Sequence, residues 1–288
     1  MMGNFLQRLL SSASLIVLVL LTLFVFPLWV FAVVVIAFIA IALYEFFTMV
    51  RQRGILVHRV LSIGLGVVFT GLVAWRSLVK PGLVPAPALD AGATLLSWGW
   101  DIFWPVTIII IFLRQFTRQN TFEALSGLAT TLFGLAYIAG LFSYLFYIRT
   151  FKGQNGALLI LFLILVTKIG DLGAFVFGNL FGSYTLMARI SPRKTIEGFL
   201  GGVLVSAVTG AFAAPLVPRL GGSWWGGFWL GLLLGCWGQL GDLAESLIKR
   251  DCQVKDSSRL LPGLGGVLDV LDSLLFTAPL FYGLLIYP

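Results

Sequence analysis

The sequence is poor in charge, in histidine and in cysteine. Asp, Glu, Lys and Arg together make up 11% of its 288 residues, against roughly 25% in soluble domains. The single histidine and the two cysteines, Cys236 and Cys252, are too few and wrongly spaced for a zinc site or a disulfide framework. A soluble domain of this length could not solvate so apolar a surface, so the composition excludes the soluble classes of protein.

Three further signals are missing. The apolar run after Arg8 has no small-x-small cleavage site, so we predict a retained first helix rather than a signal peptide. The glycines of 178–182 match neither a Walker A loop nor a dinucleotide fingerprint, and they indicate close helix packing instead. The net charge is +7, but the basic residues stand singly or in pairs between apolar runs. That pattern is typical of membrane topology and argues against a nucleic-acid partner.

Long apolar runs are what the sequence has in abundance. Hydrophobic residues make up 59% of the chain, in continuous stretches rather than ten-residue alternations, which favours helices over a barrel. We therefore predict an all-α, polytopic integral membrane protein with about nine transmembrane helices and no internal repeat. The first two helices share residues 11–50 and turn near Pro27, and 80–101 is predicted as an exposed loop. The other helices are predicted at 58–79, 98–113, 124–148, 156–178, 196–216, 224–250 and 267–287.

The distribution of basic residues predicts the orientation. Nine helices place the two termini on opposite sides of the membrane. Thirteen of the 19 basic residues fall on the N-terminal side and five on the other, and Lys168 falls inside a helix. Because loops rich in Lys and Arg stay in the cytoplasm, we predict that the N-terminus and the loops at 182–196 and 250–266 are cytoplasmic.

The acidic residues are concentrated toward the C-terminal end. Eight of the 12 lie between Asp171 and Asp272. A carboxylate inside a membrane helix costs at least about 2.5 kcal/mol, so it usually marks a functional site. Five carboxylates fall in or at the ends of predicted helices and therefore need partners: Asp171, Asp242, Glu245, Asp269 and Asp272.

Helical spacing places most of these carboxylates on two faces. One face carries residues at i, i+3, i+4 and i+7, namely Asp242, Glu245, Ser246 and Lys249; the next helix carries Asp269 and Asp272 at i, i+3. The glycine-rich turn at 251–266 returns the second helix antiparallel to the first. We expect Asp242, Asp269 and Asp272 to converge there around a hard cation, Mg²⁺ or Ca²⁺. Glu245 with Lys249 is equally well explained as a purely structural ion pair.

A second cluster lies at residues 191–198, Ser-Pro-Arg-Lys-Thr-Ile-Glu-Gly. Ser191 before Pro192 is predicted to cap a helix that starts here. The free N–H groups of a helix start, with Arg193, Lys194 and Thr195 beside them, suit a phosphate group. The alternative is an ordinary cytoplasmic loop with basic residues.

These stretches together resemble a known family. The run from Ser246 to Asp272 is similar to the signature of bacterial phosphatidate cytidylyltransferases (CDP-diacylglycerol synthases), and Asp171-Leu-Gly-Ala-Phe and residues 191–198 resemble the family's other blocks in the same order. The N-terminal half matches only in hydropathy. Two positions depart from the family pattern: Leu264 stands where His is usual and Val270 where Arg is usual. The one histidine, His58, is distant in sequence, so an imidazole cannot be an obligatory acid or base.

The resemblance implies that CTP and phosphatidic acid are converted to CDP-diacylglycerol and pyrophosphate, at the inner membrane of a bacterium. It implies Mg²⁺ as cofactor, in a site for one or two cations whose second ion is unknown, and it suggests a homodimer. We expect a catalytic region at 151–288 and a scaffold at 1–150 with dimer and lipid contacts. Asp242, Asp269 and Asp272 would be the metal ligands. The other catalytic residues would be Ser246, Lys249, Lys255 and Asp256, and the substrate-binding residues Arg193, Lys194, Thr195, Arg250 and Asp171.

Three alternatives belong to other functional classes. A CTP-dependent polyprenol or phytol kinase has similar membrane helices and phosphate loops, but it leaves CDP rather than pyrophosphate. An ion-coupled transporter also uses intramembrane carboxylates. However, the acids here lie toward one side, and an inverted repeat is missing. A non-catalytic homologue is the third, and the retained carboxylates argue against it.

Overall fold

The computed structural model describes residues 2–78, 102–117, 124–218 and 222–287. Within them the chain is almost entirely helical. We number the helices in chain order: α1 Met2–Phe24, α2 Leu28–Gln52, α3 Arg59–Leu78, α4 Ile102–Phe116, α5 Ala124–Arg149 with a π-helical stretch at Leu135–Gly140, α6 Gly156–Phe181, α7 Ile196–Ala213, α8 Trp224–Asp251 and α9 Val267–Ile286. Between α6 and α7 lie two antiparallel strands, β1 Thr185–Met187 and β2 Ser191–Thr195.

Six of the described helices are long and apolar enough to cross a membrane by length and composition: α2, α3, α5, α6, α9 and the stretch Ile196–Leu216, which begins with α7. The predicted all-helical membrane class is therefore confirmed, whereas the predicted number of about nine spans is not. The predicted turn near Pro27 lies between α1 and α2, and most helix ends lie within a few residues of their predicted positions. The predicted loop at 80–101 lies outside the described residues.

The chain divides into two compact units, Ser12–Phe146 and the combination of Met1–Ser11 with Tyr147–Pro288. The core of the first unit is aromatic. Phe46 and Phe47 of α2 are fully buried, with their rings 5.2 Å apart and nearly perpendicular. Gly134 of α5 packs against both rings, because a Cβ there would lie 2.6 Å from Phe46 and 3.0 Å from Phe47. The absence of a side chain at Gly134 therefore lets α5 approach α2 closely.

The second unit contains α6 to α9, with α8 packed against both α7 and α9. Glycines set the closest approach between α7 and α8. A Cβ on either Gly210 or Gly227 would overlap the backbone oxygen of the other residue. Small residues at a membrane helix interface let the backbones come this near. The result is a tight bundle in which α8 contacts α7, α9 and strand β2.

The predicted helix start at Ser191 is wrong. Residues 191–195 form strand β2, which pairs with β1, and α7 begins at Ile196. Thr195 is the cap, because its hydroxyl accepts a hydrogen bond of 3.1 Å from the Gly198 N–H. Ser and Thr are both good caps, so local sequence could not choose between them. The pairing with β1 decides, since it gives the 191–195 backbone partners that a helix start would leave unsatisfied.

Candidate functional site

Three carboxylates from α8 and α9 converge at one place. Asp242 and Glu245 share a face of α8 because they are three residues apart, and Asp272 faces them from α9. One oxygen of each carboxylate lies within 4.8 Å of the others. Gly241 permits this approach, because a Cβ there would lie 2.6 Å from the Asp272 carbonyl oxygen. We call Asp242, Glu245 and Asp272 the carboxylate triad.

The triad fits a metal ion. The oxygens of a six-coordinate Mg²⁺ lie roughly 3 to 4 Å from one another, so only a small adjustment of the side chains would complete that spacing. Glu245 is fully buried, and the ammonium group beside it, that of Lys249, is shared with Asp269. A buried carboxylate that shares its one ammonium can accommodate further positive charge. The donor set is oxygen only, which suits a hard cation.

Asp269 lies outside the triad and has other partners. Its Oδ1 is 2.7 Å from the Lys249 ammonium. Its Oδ2 accepts hydrogen bonds from the Gly266 N–H (2.7 Å), the Ser257 N–H (3.0 Å) and the Ser257 hydroxyl (2.9 Å). Asp269 therefore fixes the 252–266 segment to the first turn of α9. Its predicted part as a metal ligand stays a prediction.

Gly265 allows the 252–266 segment to lie against the Asp269 carboxylate. Gly265 has a φ of 96°, which glycine adopts far more readily than other residues. A Cβ at this position would also lie 2.5 Å from Asp269 Oδ2. The carboxylate and the backbone can therefore lie side by side only because the residue is glycine. Lys255 and Asp256 are exposed on the same segment.

Two lysines reach the triad from different elements. Lys249 of α8 lies 2.5 Å from Glu245 Oε2, and it joins that carboxylate to Asp269. Lys194 of β2 lies 2.5 Å from Asp242 Oδ2. The Ser246 hydroxyl is 3.5 Å from Asp242 Oδ1, at the limit of a hydrogen bond. Each α8 carboxylate of the triad thus has one ammonium group beside it, and the one beside Glu245 is shared with Asp269.

The two strands lie against the C-terminal end of α8. Arg250 donates a hydrogen bond of 3.2 Å from Nε to the Ile190 carbonyl, in the turn between the strands. Its Nη1 donates to the Val254 carbonyl at 3.2 Å. Arg193 is exposed on β2, one residue before Lys194. The elements that carry Arg193, Lys194 and Arg250, strand β2 and helix α8, therefore contact one another.

Asp171 lies beside a lysine of its own helix. The Lys168 ammonium is 3.1 Å from Asp171 Oδ2, 2.8 Å from the Ser273 hydroxyl and 3.7 Å from Asp272 Oδ1. The Ser273 hydroxyl in turn donates to Asp171 Oδ2 at 3.2 Å. Asp272 thus connects this group on α6 to the triad.

Comparison with known proteins shows which family the chain belongs to. The sequence model of the cytidylyltransferase family matches residues 6–287, nearly the whole chain. The chain belongs to the cytidylyltransferase family. The resemblance noted from the C-terminal motifs is thereby confirmed, and it extends over the N-terminal helices that matched only in hydropathy.

Individual members of the cytidylyltransferase family are similar over most of the chain. The phosphatidate cytidylyltransferase of Staphylococcus epidermidis is 44% identical over 222 residues, which cover 73% of this chain and 81% of that protein. The one from Synechocystis is 32% identical over 270 residues, 84% of this chain and 83% of that protein. YnbB of Escherichia coli, an uncharacterised protein, is 40% identical over 156 residues; the match spans 54% of this chain and half of YnbB.

Sequence reasoning missed two residues of this cytidylyltransferase-family site. Glu245 was left undecided between a functional role and a structural pair with Lys249, although its i, i+3 spacing from Asp242 was a signal. Lys168 was noted only as a lysine inside a helix. A cation in an apolar helix needs a partner, and Asp171 at i+3 was available. Glu245 belongs to the triad and Lys168 lies 3.7 Å from its member Asp272, so both side chains affect the charge at the triad.

Proposed function

We propose that the chain joins CTP to phosphatidate, giving CDP-diacylglycerol and pyrophosphate. An oxygen of the lipid phosphate attacks the α-phosphorus of CTP, and the bond from that phosphorus to the oxygen bridging the β-phosphorus breaks. Pyrophosphate leaves with that oxygen. The carboxylate triad beside three lysines carries the proposal, because two polyanions can meet only where charge is neutralised and positions are fixed. Membership of the cytidylyltransferase family supports it.

The triad would hold Mg²⁺. We propose Asp242 and Asp272 as ligands, as expected from the sequence, and Glu245 in the place expected for Asp269. A bound divalent cation would neutralise phosphate oxygens and orient them. Asp269 would act on this site through Lys249, since one carboxylate oxygen faces that ammonium while the other fixes the 252–266 segment.

Lys194 would exchange partners when nucleotide binds. In the structure its ammonium pairs with Asp242, a proposed metal ligand. A cation at the triad would weaken that attraction and release Lys194 toward the phosphates, beside Arg193. Thr195 would position both residues by capping α7. Arg250, Lys255 and Asp256 would contact substrate phosphates or nucleotide where the 252–266 segment is exposed.

The proposed reaction requires no general base. A phosphomonoester is already largely ionised near neutral pH, so the attacking oxygen carries charge before it reaches the site. The chain's one histidine, His58, belongs to the unit Ser12–Phe146, and Leu264 occupies the position where the family usually has histidine. Positioning and charge neutralisation would therefore supply the rate enhancement.

We propose that the chain lies in the inner membrane of a bacterium, with its N-terminus and the site facing the cytoplasm, where CTP is available. Residues 151–288 would form the catalytic region and residues 1–150 the scaffold, with contacts to lipid and to a second copy in a homodimer. The kinase and transporter alternatives gain no support from the cytidylyltransferase family.

The test uses purified protein in detergent with CTP, phosphatidate and Mg²⁺. Pyrophosphate release is expected from the wild type and should stop when a chelator removes divalent ions. Asp242→Asn should lower turnover by about 100-fold or more, because it removes a charged ligand from the triad. The matched control is Asp251→Asn, which neutralises an exposed carboxylate on the same helix and should keep wild-type turnover. Normal turnover in Asp242→Asn would contradict the proposed site.

A further inference from the structure

The proposed reaction gives Lys168 no role of its own, although its ammonium lies beside the triad. The Lys168 ammonium has three oxygen neighbours on two helices: Asp171 Oδ2 of α6, and Ser273 Oγ and Asp272 Oδ1 of α9. Their distances are 3.1, 2.8 and 3.7 Å. A metal ion in a protein is surrounded in the same way, by oxygens contributed from separate elements. Here the centre of the group is a cation that belongs to the chain.

Asp272 links Lys168 and its neighbours to the triad. Its Oδ1 accepts a hydrogen bond of 2.5 Å from the Ser273 N–H and lies 3.7 Å from Lys168, and its carboxylate also faces Asp242 and Glu245. A simple structural ion pair between Lys168 and Asp171 would need no third partner. The shared carboxylate means that the charge on Lys168 acts directly on a proposed metal ligand.

The net charge of the side chains linked to the triad also matches one divalent metal ion. Among the described residues, five carboxylates (Asp171, Asp242, Glu245, Asp269 and Asp272) and three ammonium groups (Lys168, Lys194 and Lys249) are linked by ion pairs or by the triad. With all five carboxylates ionised, two negative charges are left unmatched, and one divalent cation would neutralise them. If Lys168 were neutral, a second cation would be required for balance.

We propose that Lys168 is a resident cation of the site: its ammonium takes the place of a second metal ion, orients Asp171 and Asp272, and leaves the triad to bind one divalent ion. This inference rests on the proposed function and narrows its cofactor requirement. Lys168 is a positioning residue, because it acts through Asp272 rather than on the reacting phosphates.

The first test is the number of metal ions that the chain binds. Purified wild-type protein is titrated with Mn²⁺ without nucleotide, and free Mn²⁺ is followed by electron paramagnetic resonance. One Mn²⁺ per chain at saturation is expected. Two Mn²⁺ per wild-type chain would overturn the inference, because the place assigned to Lys168 would then be filled by metal.

The second test removes the ammonium and returns it from solution. Lys168→Ala should lower turnover about 10- to 100-fold, the usual effect of losing a partner that orients a ligand. Methylammonium should restore part of that turnover, because it fits the space the side chain leaves. It should not affect the wild type or the control Lys152→Ala, which changes an exposed lysine. Wild-type turnover in Lys168→Ala, or a loss that no amine restores, would overturn the inference.

A further variant covers the case in which Lys168→Ala does not fold. Lys168→Met keeps the apolar stem and removes only the charge, so it should unfold at the wild-type temperature, lose turnover, and show no rescue by methylammonium because the space is filled. Wild-type turnover in Lys168→Met would overturn the inference. A wild-type chain that makes no CDP-diacylglycerol contradicts the proposed function instead, and the Mn²⁺ count still decides about Lys168.

Discussion

At the scale of single residues, Glu245 is the member of the triad that most needs a compensating positive charge. Its side chain has no exposure to solvent, and its cationic neighbour is Lys249 at 2.5 Å, which also contacts Asp269. Burying an ionised carboxylate is costly unless nearby charge compensates it. One shared ammonium compensates it only in part, and a divalent ion at the triad would supply the rest.

We therefore predict that Glu245→Gln weakens metal binding without removing the fold. The amide keeps the shape of the side chain but offers one neutral oxygen, so the Mg²⁺ concentration for half-maximal turnover should rise at least about 10-fold. The measurement is turnover against Mg²⁺ concentration at saturating CTP. Asp251→Asn serves as the control and should follow the wild-type curve. An unchanged Mg²⁺ requirement in Glu245→Gln would mean that Glu245 is only a partner of Lys249.

The residues show what local spacing can predict. Asp242 and Asp272 were expected to meet because each follows the periodicity of its own helix, and helix periodicity is a local property. Asp269 was expected beside them on the same grounds. It is engaged by Ser257 and Gly266, whose positions depend on how the 252–266 segment folds back. Such non-local contacts leave no trace in helix spacing.

At the scale of secondary structure, the approach of α8 to α9 sets the geometry of the triad. Gly241 lies against the Asp272 backbone, where a Cβ would be 2.6 Å from the carbonyl oxygen. One turn away, Gly238 has more room, because a Cβ there would lie 3.5 Å or more from its neighbours Thr277 and Ser273. Substitution by alanine therefore creates a steric conflict at Gly241 but not at Gly238.

Gly241→Ala is predicted to separate the two helices and spread the triad. The conflict involves backbone rather than a flexible side chain, so α9 must shift. We expect turnover to fall about 10-fold or more and the Mg²⁺ requirement to rise, whereas Gly238→Ala should resemble the wild type in both. Equal behaviour of the two variants would show that the triad does not depend on this contact.

Helix positions were the most predictable elements, and the strands the least. Long apolar runs ended by Pro, Gly or charge set the approximate bounds of the helices, because each signal lies within the element itself. Strand β2 was predicted as a helix start because Ser191, Pro192 and the following residues satisfy the local rules. Its strand conformation comes from pairing with β1, which the local sequence does not encode.

At the scale of the whole molecule, the number of membrane crossings decides which side each terminus occupies. Nine crossings put the termini on opposite sides, and six put them on the same side. Six described helices have the length and composition to cross, and α1, α4 and α8 are the further helices that the sequence-based count includes. With nine crossings, the 13 basic residues on the N-terminal side against five on the other favour a cytoplasmic N-terminus, whereas six crossings divide them almost evenly.

We predict that a reporter fused after Pro288 is periplasmic and that one placed in the 252–266 segment is cytoplasmic. The measurement pairs alkaline phosphatase, active only outside the cytoplasm, with green fluorescent protein, fluorescent only within it. A fusion at the N-terminus gives the matched reference for the cytoplasmic side. A fluorescent C-terminal fusion would overturn the nine-crossing topology while leaving the site's own geometry unaffected.

The proposed reaction transfers the α-phosphorus of CTP to a lipid phosphate. The most direct measurement gives purified protein phosphatidate, Mg²⁺ and CTP labelled with ³²P at either the α- or the γ-phosphorus, and then separates lipid from water-soluble products. We predict that the α-label enters the lipid and that the γ-label appears in pyrophosphate. A γ-label in the lipid, with CDP left in solution, would contradict this reaction and identify a kinase.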